Sequence, residues 1–101
     1  MPAPVSITLD SIVRVAPDQI SCELEGEAAI LNLKTGAYYG LNPVGATIWG
    51  LIERPIAVRG VLEAILEQFD VDRDVCERDL IDLLRELDER GLIEVADGSG
   101  G

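Results

Sequence analysis

The side chains that most often carry enzymatic chemistry are scarce in this sequence. It contains no histidine, so the commonest general base, triad member and zinc ligand is absent. Carboxylates that could act as acids or bases cluster late in the chain, at Asp79, Asp82, Glu86 and Glu89. Asp82, Glu86 and Glu89 fall on the polar side of a predicted helix, where carboxylates are usually solvated. The pattern therefore favours a hydrated helix face over an acid–base site.

The two cysteines, Cys22 and Cys76, are the other candidates for chemistry. Both have apolar neighbours and neither has a cationic cluster that would activate a thiol, so we expect reduced thiols packed in the core. Two cysteines without a histidine also make a poor zinc site, and no glycine-rich phosphate loop joins a strand to a helix. The sequence predicts no cofactor and no metal.

The adjacent tyrosines, Tyr38 and Tyr39, indicate binding rather than catalysis. They lie in an alternating segment, Ala37 to Leu41, which a helical pattern follows at once. One interpretation is structural, with Tyr39 in the core and Tyr38 on the outer face of a sheet. The other starts from the position of this strand at the end of its hairpin, where one edge is open to an extended peptide.

The segments before the helices are predicted strands. Short or alternating apolar runs predict strands at Ile12–Val15, Gln19–Glu25 (with Ile20, Cys22 and Leu24 alternating), Ala28–Leu33 and Ala37–Leu41, and a bulge or tight turn at Glu25–Glu27. The last two form a hairpin around Lys34-Thr35-Gly36, where Gly36 can take a positive φ. If Leu33 lies opposite Ala37, one face holds Ala29, Leu31, Leu33, Ala37, Tyr39 and Leu41, and the other holds Ile30, Asn32, Tyr38 and Gly40. We expect the first face to meet the helices.

Three helices are predicted after the hairpin, at about Pro43–Glu53, Ala57–Phe69 and Asp72–Arg90, before a short extended segment, Leu92–Val95. Asn42 and Asp72 are natural N-caps, and Gly91 is typical of a left-handed helix stop. The core stripe of the third helix contains Cys76, Leu80, Leu83, Leu84 and Leu87. Ile81 lies beside this stripe, near Glu77, Arg85 and Asp88, so one flank of the helix is partly apolar. Strands followed by helices predict a segregated α+β fold.

Composition limits the size of the domain and the class of its partners. With 101 residues the chain fits a single domain, which we expect to be ordered from about residue 5 to 96 with frayed ends. A net charge of −11 would repel a phosphate backbone, so nucleic acid is a poor partner. The sequence has no signal-like segment and no run near the roughly 20 apolar residues of a membrane span. A cytoplasmic protein with no membrane contact is therefore expected.

One long stretch resembles a known family. LNLKTGAYYGLNPVGATIW, followed by a Leu/Val-rich helix, FDVD, a third helix and RGLIEV, is similar to the PqqD-like peptide-recognition domains. The tyrosine-containing motif most resembles the stand-alone leader-recognition proteins of lasso-peptide pathways. The resemblance implies an α+β, winged-helix-like domain, in which a three-stranded antiparallel sheet is followed by three helices. It also implies binding of the leader of a ribosomally made precursor peptide for a separate enzyme, such as a leader peptidase, with no catalysis by the domain itself.

The resemblance also implies a site between the third strand of the sheet and the third helix. In that family the leader pairs antiparallel with the strand that corresponds to Ala37–Leu41 and lays apolar side chains against the helix. The expected peptide-binding residues are Ala37, Tyr38, Tyr39, Gly40 and Leu41 on the strand and Glu77, Ile81, Leu84, Arg85 and Asp88 on the helix. One alternative is a PqqD-type peptide chaperone of pyrroloquinoline quinone synthesis or of another peptide-modification pathway. A winged-helix DNA binder is disfavoured, because its reading helix would be acidic.

Overall fold

The computed structural model describes residues 7–17, 19–24 and 27–96. The strands and helices are β1 (Ile12–Val15), β2 (Gln19–Leu24), β3 (Glu27–Asn32), β4 (Tyr38–Leu41), α1 (Pro43–Leu51), β5 (Ile56–Ala57), α2 (Val58–Gln68), α3 (Arg73–Glu89) and β6 (Ile93–Ala96). The bulge or turn expected at Glu25 and Gly26, and the frayed ends, lie outside the described residues. The α+β class and the three helices are confirmed.

The strands form two antiparallel sheets rather than one. One sheet has the order β2-β3-β4 and corresponds to the expected three-stranded sheet. In the other, β1 lies between β5 and β6, so that the first and last described strands are neighbours. The Arg14 side chain on β1 donates to the Glu94 carboxylate on β6 at 2.7 Å. Each of these strands except β5 has a local sequence pattern. Their pairing has no local signal, because it joins residues more than forty positions apart for β1 with β5 and about eighty apart for β1 with β6.

The register of the β3–β4 hairpin differs from the expected one by one residue. Ile30 pairs with Tyr39 and Leu31 with Tyr38, so Ile30 is buried and Leu31 faces solvent. The cause is Asn32, whose side-chain oxygen accepts from the N–H groups of Lys34 and Thr35 at 2.9 and 3.1 Å. These bonds form a loop of four residues, with Gly36 at φ 74°, instead of a three-residue turn. A one-residue shift exchanges the two faces of a strand, so the predicted faces of β3 were wrong.

The helix ends follow local signals. The Asn42 side chain accepts from the Gly45 N–H at 2.8 Å and Pro43 begins α1. Asp72 accepts from the N–H groups of Asp74 and Val75, which caps α3. Gly91 takes φ 73° immediately after the C-cap of α3. The predicted bounds of the three helices agree with the structure within about two residues.

The core lies between the helices and the inner faces of the strands. Its fully buried members include Val13, Ile30, Ile52, Leu62 and Leu84. The predicted stripe of α3 is confirmed for Leu80, Leu84 and Leu87, whereas Cys76 and Leu83 are half-buried. Among the described residues no helix is long and apolar enough to cross a membrane.

The cysteines differ in environment, and one prediction about them was wrong. Both are free thiols. Cys76 is half-buried against the core, but Cys22 is exposed on the outer face of the β2-β3-β4 sheet. The alternation of β2 indicated that Ile20 and Cys22 share a face, but not which way that face points. Ile20, on the same face, is 52% exposed.

Candidate peptide-binding groove

The strand β4 has an open edge. In the sheet order β2-β3-β4 it pairs with β3 alone among the described strands. The Asn32 N–H donates to the Ala37 carbonyl at 2.9 Å, which directs the Ala37 backbone toward β3. Because an antiparallel strand alternates the direction of its backbone groups, Tyr39 and Leu41 also bond toward β3, and Tyr38 and Gly40 present their N–H and C=O groups to the open edge. This edge can accept another strand.

A groove of about 480 Å³ runs beside this edge. Its strand side is formed by Tyr39, Gly40 and Leu41, and its base by Val44, Ile48 and Ile65 from α1 and α2. The opposite wall is α3 and the segment before it, with Val71, Val75, Cys76, Asp79, Leu83 and Glu86. The surface is mainly apolar, and Val71 and Val75 are exposed although they are large and hydrophobic. Its apolar side chains could be covered by those of a bound chain.

Tyr39 connects the strand to the end of α3. The Arg90 guanidinium lies over the Tyr39 ring, with 5.1 Å from Cζ to the ring centroid, and also pairs with Glu86 at 3.4 Å. Burial raises the pKa of the Tyr39 hydroxyl above its ordinary value. Hydrogen bonding to Glu86 and the charge of Glu86 raise this pKa further, whereas the Arg90 charge lowers it. These three residues hold one end of the groove together.

The charged residues that line the groove are all acidic. Asp79, Asp82 and Glu86 line it, and no lysine or arginine does among the described residues. Asp82 has a cationic neighbour, Arg85, at 3.8 Å. The groove therefore disfavours an acidic side chain and accommodates neutral or basic ones.

One thiol, that of Cys76, lines the groove. Burial, and then the negative charge of Asp79, raise the pKa of the Cys76 thiol, so that it stays protonated at neutral pH. In the part of the chain that the structure describes, no group of three or more metal-ligating side chains comes together. What the arrangement can do is bind an extended chain, through the backbone of β4 and through apolar side chains in the groove.

The structure brings together only part of the predicted site. Tyr39, Gly40 and Leu41 line the groove, Ala37 directly precedes β4, and Tyr38 points to the other face of the sheet. The helix residues predicted to join them, Glu77, Ile81, Leu84, Arg85 and Asp88, do not line it. At 100° per residue, Glu77, Ile81 and Asp88 lie on one side of the buried stripe of α3, and the groove wall lies on the other. Leu84 has no exposed surface at all. Contact of these residues with a peptide stays a prediction, which this geometry does not favour.

Several groove residues had no place in the predicted site. Leu83 and Cys76 were assigned to the core stripe, and Asp79 and Glu86 were considered only as acids. Val71 and Val75 carry the clearest sequence signal, since they are apolar residues on either side of the Asp72 cap, outside the core stripe of α3. Which flank of α3 faces β4 depends on how the helix packs on the sheet, and periodicity does not determine that.

Comparison with known proteins identifies the family. The family model described as coenzyme PQQ synthesis protein D (PqqD) matches residues 27–93, which is more than half of the 101 residues. The chain belongs to the PqqD family. The match includes the hairpin, the three helices and every residue that lines the groove, so the resemblance inferred from the sequence is confirmed.

Two solved structures share the fold of this PqqD-family chain. TbiB1, solved in complex with the TbiA(beta) leader peptide, is 37% identical with a TM-score of 0.74, over 80% of this chain and 94% of TbiB1. A lasso peptide synthetase B1, complexed with the leader peptide, is 23% identical with a TM-score of 0.71, over 81% of this chain and 96% of that chain. No curated protein sequence matches significantly.

Proposed function

We propose that the chain binds the leader segment of a ribosomally synthesised precursor peptide, of the lasso-peptide class, in the cytoplasm where ribosomes make it. The leader adds as a strand to β4 and places alternate side chains in the groove. A separate processing enzyme, such as a leader peptidase, then acts on the bound precursor. The observation that carries this proposal is the open edge of β4 beside a mainly apolar groove walled by α3.

The binding energy would come from two sources. Tyr38 and Gly40 offer backbone donors and acceptors, and each hydrogen bond made there adds about 1 kcal/mol net. These bonds do not depend on the side chains of the leader. Apolar side chains entering the groove add roughly 25 cal/mol per Å² of apolar surface buried, which makes affinity depend on the leader sequence. The acidic lining adds a preference against leaders with Asp or Glu at the inward positions.

The similarity to TbiB1 supports the same proposal. TbiB1 has been solved with a leader peptide bound, and this chain shares 37% of its residues over 80% of its own length. The TM-score of 0.74 supports a shared fold for the two chains, and hence binding of the same class of ligand.

We assign no catalytic step to the chain itself. The sequence lacks histidine, and burial and then Asp79 raise the pKa of the Cys76 thiol in the groove, which disfavours the nucleophilic thiolate. The chain would accelerate processing by raising the effective concentration of the precursor at its partner enzyme. For short flexible tethers this effective concentration reaches about the millimolar range.

Titration with labelled peptides tests the proposal. Where a precursor gene neighbours the gene of this chain, the leader and the core segments of that precursor are the first probes, and we call this leader the cognate leader. The TbiA(beta) leader serves as a second probe. Fluorescence polarisation should show saturable binding of the cognate leader and none of the core segment. Equal affinity for leader and core, or no binding of either leader, would contradict the proposal.

A matched pair of variants locates the binding site. Val75, the third residue of α3, is 50% exposed in the groove, and Ile20 on β2 is 52% exposed and two strands away from the open edge. Val75→Asp adds a negative charge at a helix N-terminus, which the helix tolerates. In the complex, however, that charge would be unpaired beneath an apolar side chain of the leader. We expect at least about a tenfold loss of leader affinity for Val75→Asp and no loss for Ile20→Asp.

The name of the matching family favours one alternative, a peptide chaperone of coenzyme PQQ synthesis. The groove would serve either role, so the peptide that binds decides between them. Saturable binding of a pyrroloquinoline quinone precursor, with no binding of either leader, would favour the alternative.

A further inference from the structure

A second depression lies on the other side of β4 from the groove. It measures about 340 Å³ and is lined by Cys22, Glu27, Ala29, Tyr38 and Gly40 together with residues at the end of β4. Gly40, Leu41 and Asn42 border both the depression and the groove, which makes β4 the boundary between them. The role proposed for the groove does not use this outer depression.

Strand geometry determines what a peptide on β4 would place there. Tyr38 and Gly40 present their backbone groups to the open edge, and their side-chain positions face the outer surface of the sheet. A peptide residue that is hydrogen-bonded to Gly40 lies directly opposite it, so the side chain of that residue also points to the outer face of the sheet. The neighbouring peptide residues, opposite Tyr39 and Leu41, point into the groove. The peptide therefore has outward side chains as well as groove anchors.

The residues that lie side by side across the outer face of the sheet at Gly40 have small side chains. Cys22 pairs with Ala29, and Ala29 pairs with Gly40. The next row consists of Ile20, Leu31 and Tyr38, which are all large and exposed. The small row thus forms a trough bounded on one side by the Tyr38 ring. A fourth strand would bring one side chain to the open end of this trough, where it could lie across Gly40 toward Ala29.

We propose that the trough over Gly40 and Ala29 is a second specificity subsite. It takes one large apolar side chain of the bound peptide, from a peptide residue whose side chain points to the outer face of the sheet. The proposal rests on the proposed function, because it needs a peptide strand on β4. The Tyr38 ring supplies an apolar wall, and the Glu27 carboxylate at the rim disfavours an acidic occupant. Affinity then depends on at least one peptide residue that does not enter the groove.

A graded series at Gly40 tests the subsite. A Cβ added at Gly40 meets no atom within 4 Å and the backbone there is not left-handed, so the position accepts alanine without strain and has open space around the added carbon. Gly40→Ala and Gly40→Val progressively fill the trough. We expect affinity for the cognate leader to fall in that order, to at least about a tenfold loss for valine.

Three further variants distinguish failure of the proposed function from failure of the outer subsite. Ala29→Val fills the same trough from β3 without changing the open edge, and should also weaken binding. Ile20→Asp is the matched control and should not. Val75→Asp reports on the groove alone. If the wild-type protein binds no leader, the proposed function fails. If Val75→Asp weakens binding while Gly40→Val and Ala29→Val leave it unchanged, the outer subsite alone is overturned.

The occupant is identified by nuclear magnetic resonance. Intermolecular nuclear Overhauser effects from the Ala29 methyl group should reach a large apolar residue of the labelled cognate leader. Replacing that peptide residue by alanine should weaken binding to the wild-type protein but change it little for Gly40→Val. Contacts from Ala29 to a basic residue, or to no residue of the bound leader, would overturn the proposal.

Discussion

The guanidinium of Arg90 lies over the ring of Tyr39, 5.1 Å from the ring centroid. This contact joins the open strand β4 to the C-terminal end of α3, the two elements that form opposite walls of the groove. The Glu86 carboxylate pairs with Arg90 at 3.4 Å and raises the pKa of the Tyr39 hydroxyl.

The ionisation of Tyr39 should report on this cluster. Its pKa is raised, chiefly by burial and then by Glu86. In the Tyr38→Phe variant Tyr39 is the only remaining tyrosine, and absorbance at 295 nm should give a midpoint above the ordinary value of about 10. Glu86→Gln should lower that midpoint. A midpoint equal to that of the urea-unfolded protein would show that the cluster does not form.

The same shift predicts the direction of a stability change at alkaline pH. Because the pKa of Tyr39 is higher in the folded state, its contribution is complete below about pH 10 and is lost as the pH rises through the folded value. Urea unfolding midpoints of the Tyr38→Phe protein should therefore fall more steeply above pH 10 than those of Tyr38→Phe/Tyr39→Phe. Parallel decreases in the two proteins would exclude a contribution from Tyr39.

Two half-buried residues of α3 distinguish its flanks. Leu83 lines the groove and Ile81 does not, although both pack against the core. Truncation to alanine should cost each protein about 1 kcal/mol of unfolding free energy. Only Leu83→Ala should weaken binding of the cognate leader, by at least fivefold or so. The reverse result would restore the flank with Ile81 and Arg85 as the binding surface.

The rates at which the two thiols react with a thiol reagent test whether the peptide occupies the groove. Cys22 is exposed, whereas Cys76 is half-buried in the groove wall and its pKa is raised by burial and by Asp79. With Cys76→Ser and Cys22→Ser proteins, a thiol reagent at pH 8 should modify Cys22 at least several-fold faster. A saturating cognate leader should slow the reaction of Cys76 further. Unchanged reactivity of Cys76 in the complex would place the peptide elsewhere.

The hairpin register depends on Asn32. Its side chain only accepts in the loop, from the N–H groups of Lys34 and Thr35. Asn32→Ala should lower the free energy of unfolding by about 1 kcal/mol or more, measured by urea denaturation. Asn32→Ser keeps a side-chain acceptor without burying a charge and should lose less than half as much. Equal losses in the two variants would mean that these bonds do not stabilise the loop.

Local features of this fold could be predicted, and relationships between distant elements could not. The caps at Asn42 and Asp72 and the stop at Gly91 are set by one residue and its immediate neighbours, and they agree with the structure. The face of β3 was missed because a four-residue loop and a three-residue turn fit the same apolar alternation, and the Asn32 bonds decide between them.

The candidate site was predictable on its strand side only. Position in the chain was enough to indicate that the strand of Tyr38 and Tyr39 has an open edge. The helix side required the rotation of α3 about its own axis, and periodicity does not determine which side of the Leu80, Leu84 and Leu87 stripe faces β4. Ile81 was the more conspicuous apolar residue in the sequence, but Leu83 is the one that lines the groove.

The pairing of Ile12 with Ala96 sets the two ends of the described fold side by side. No residue of β1, β5 or β6 lines the groove. A covalent connection to another protein could therefore be made at either end, or at both ends through insertion into a surface loop, without obstructing the strand and helix that face the peptide. A direct fusion to a processing enzyme at these ends would therefore leave the groove between β4 and α3 accessible.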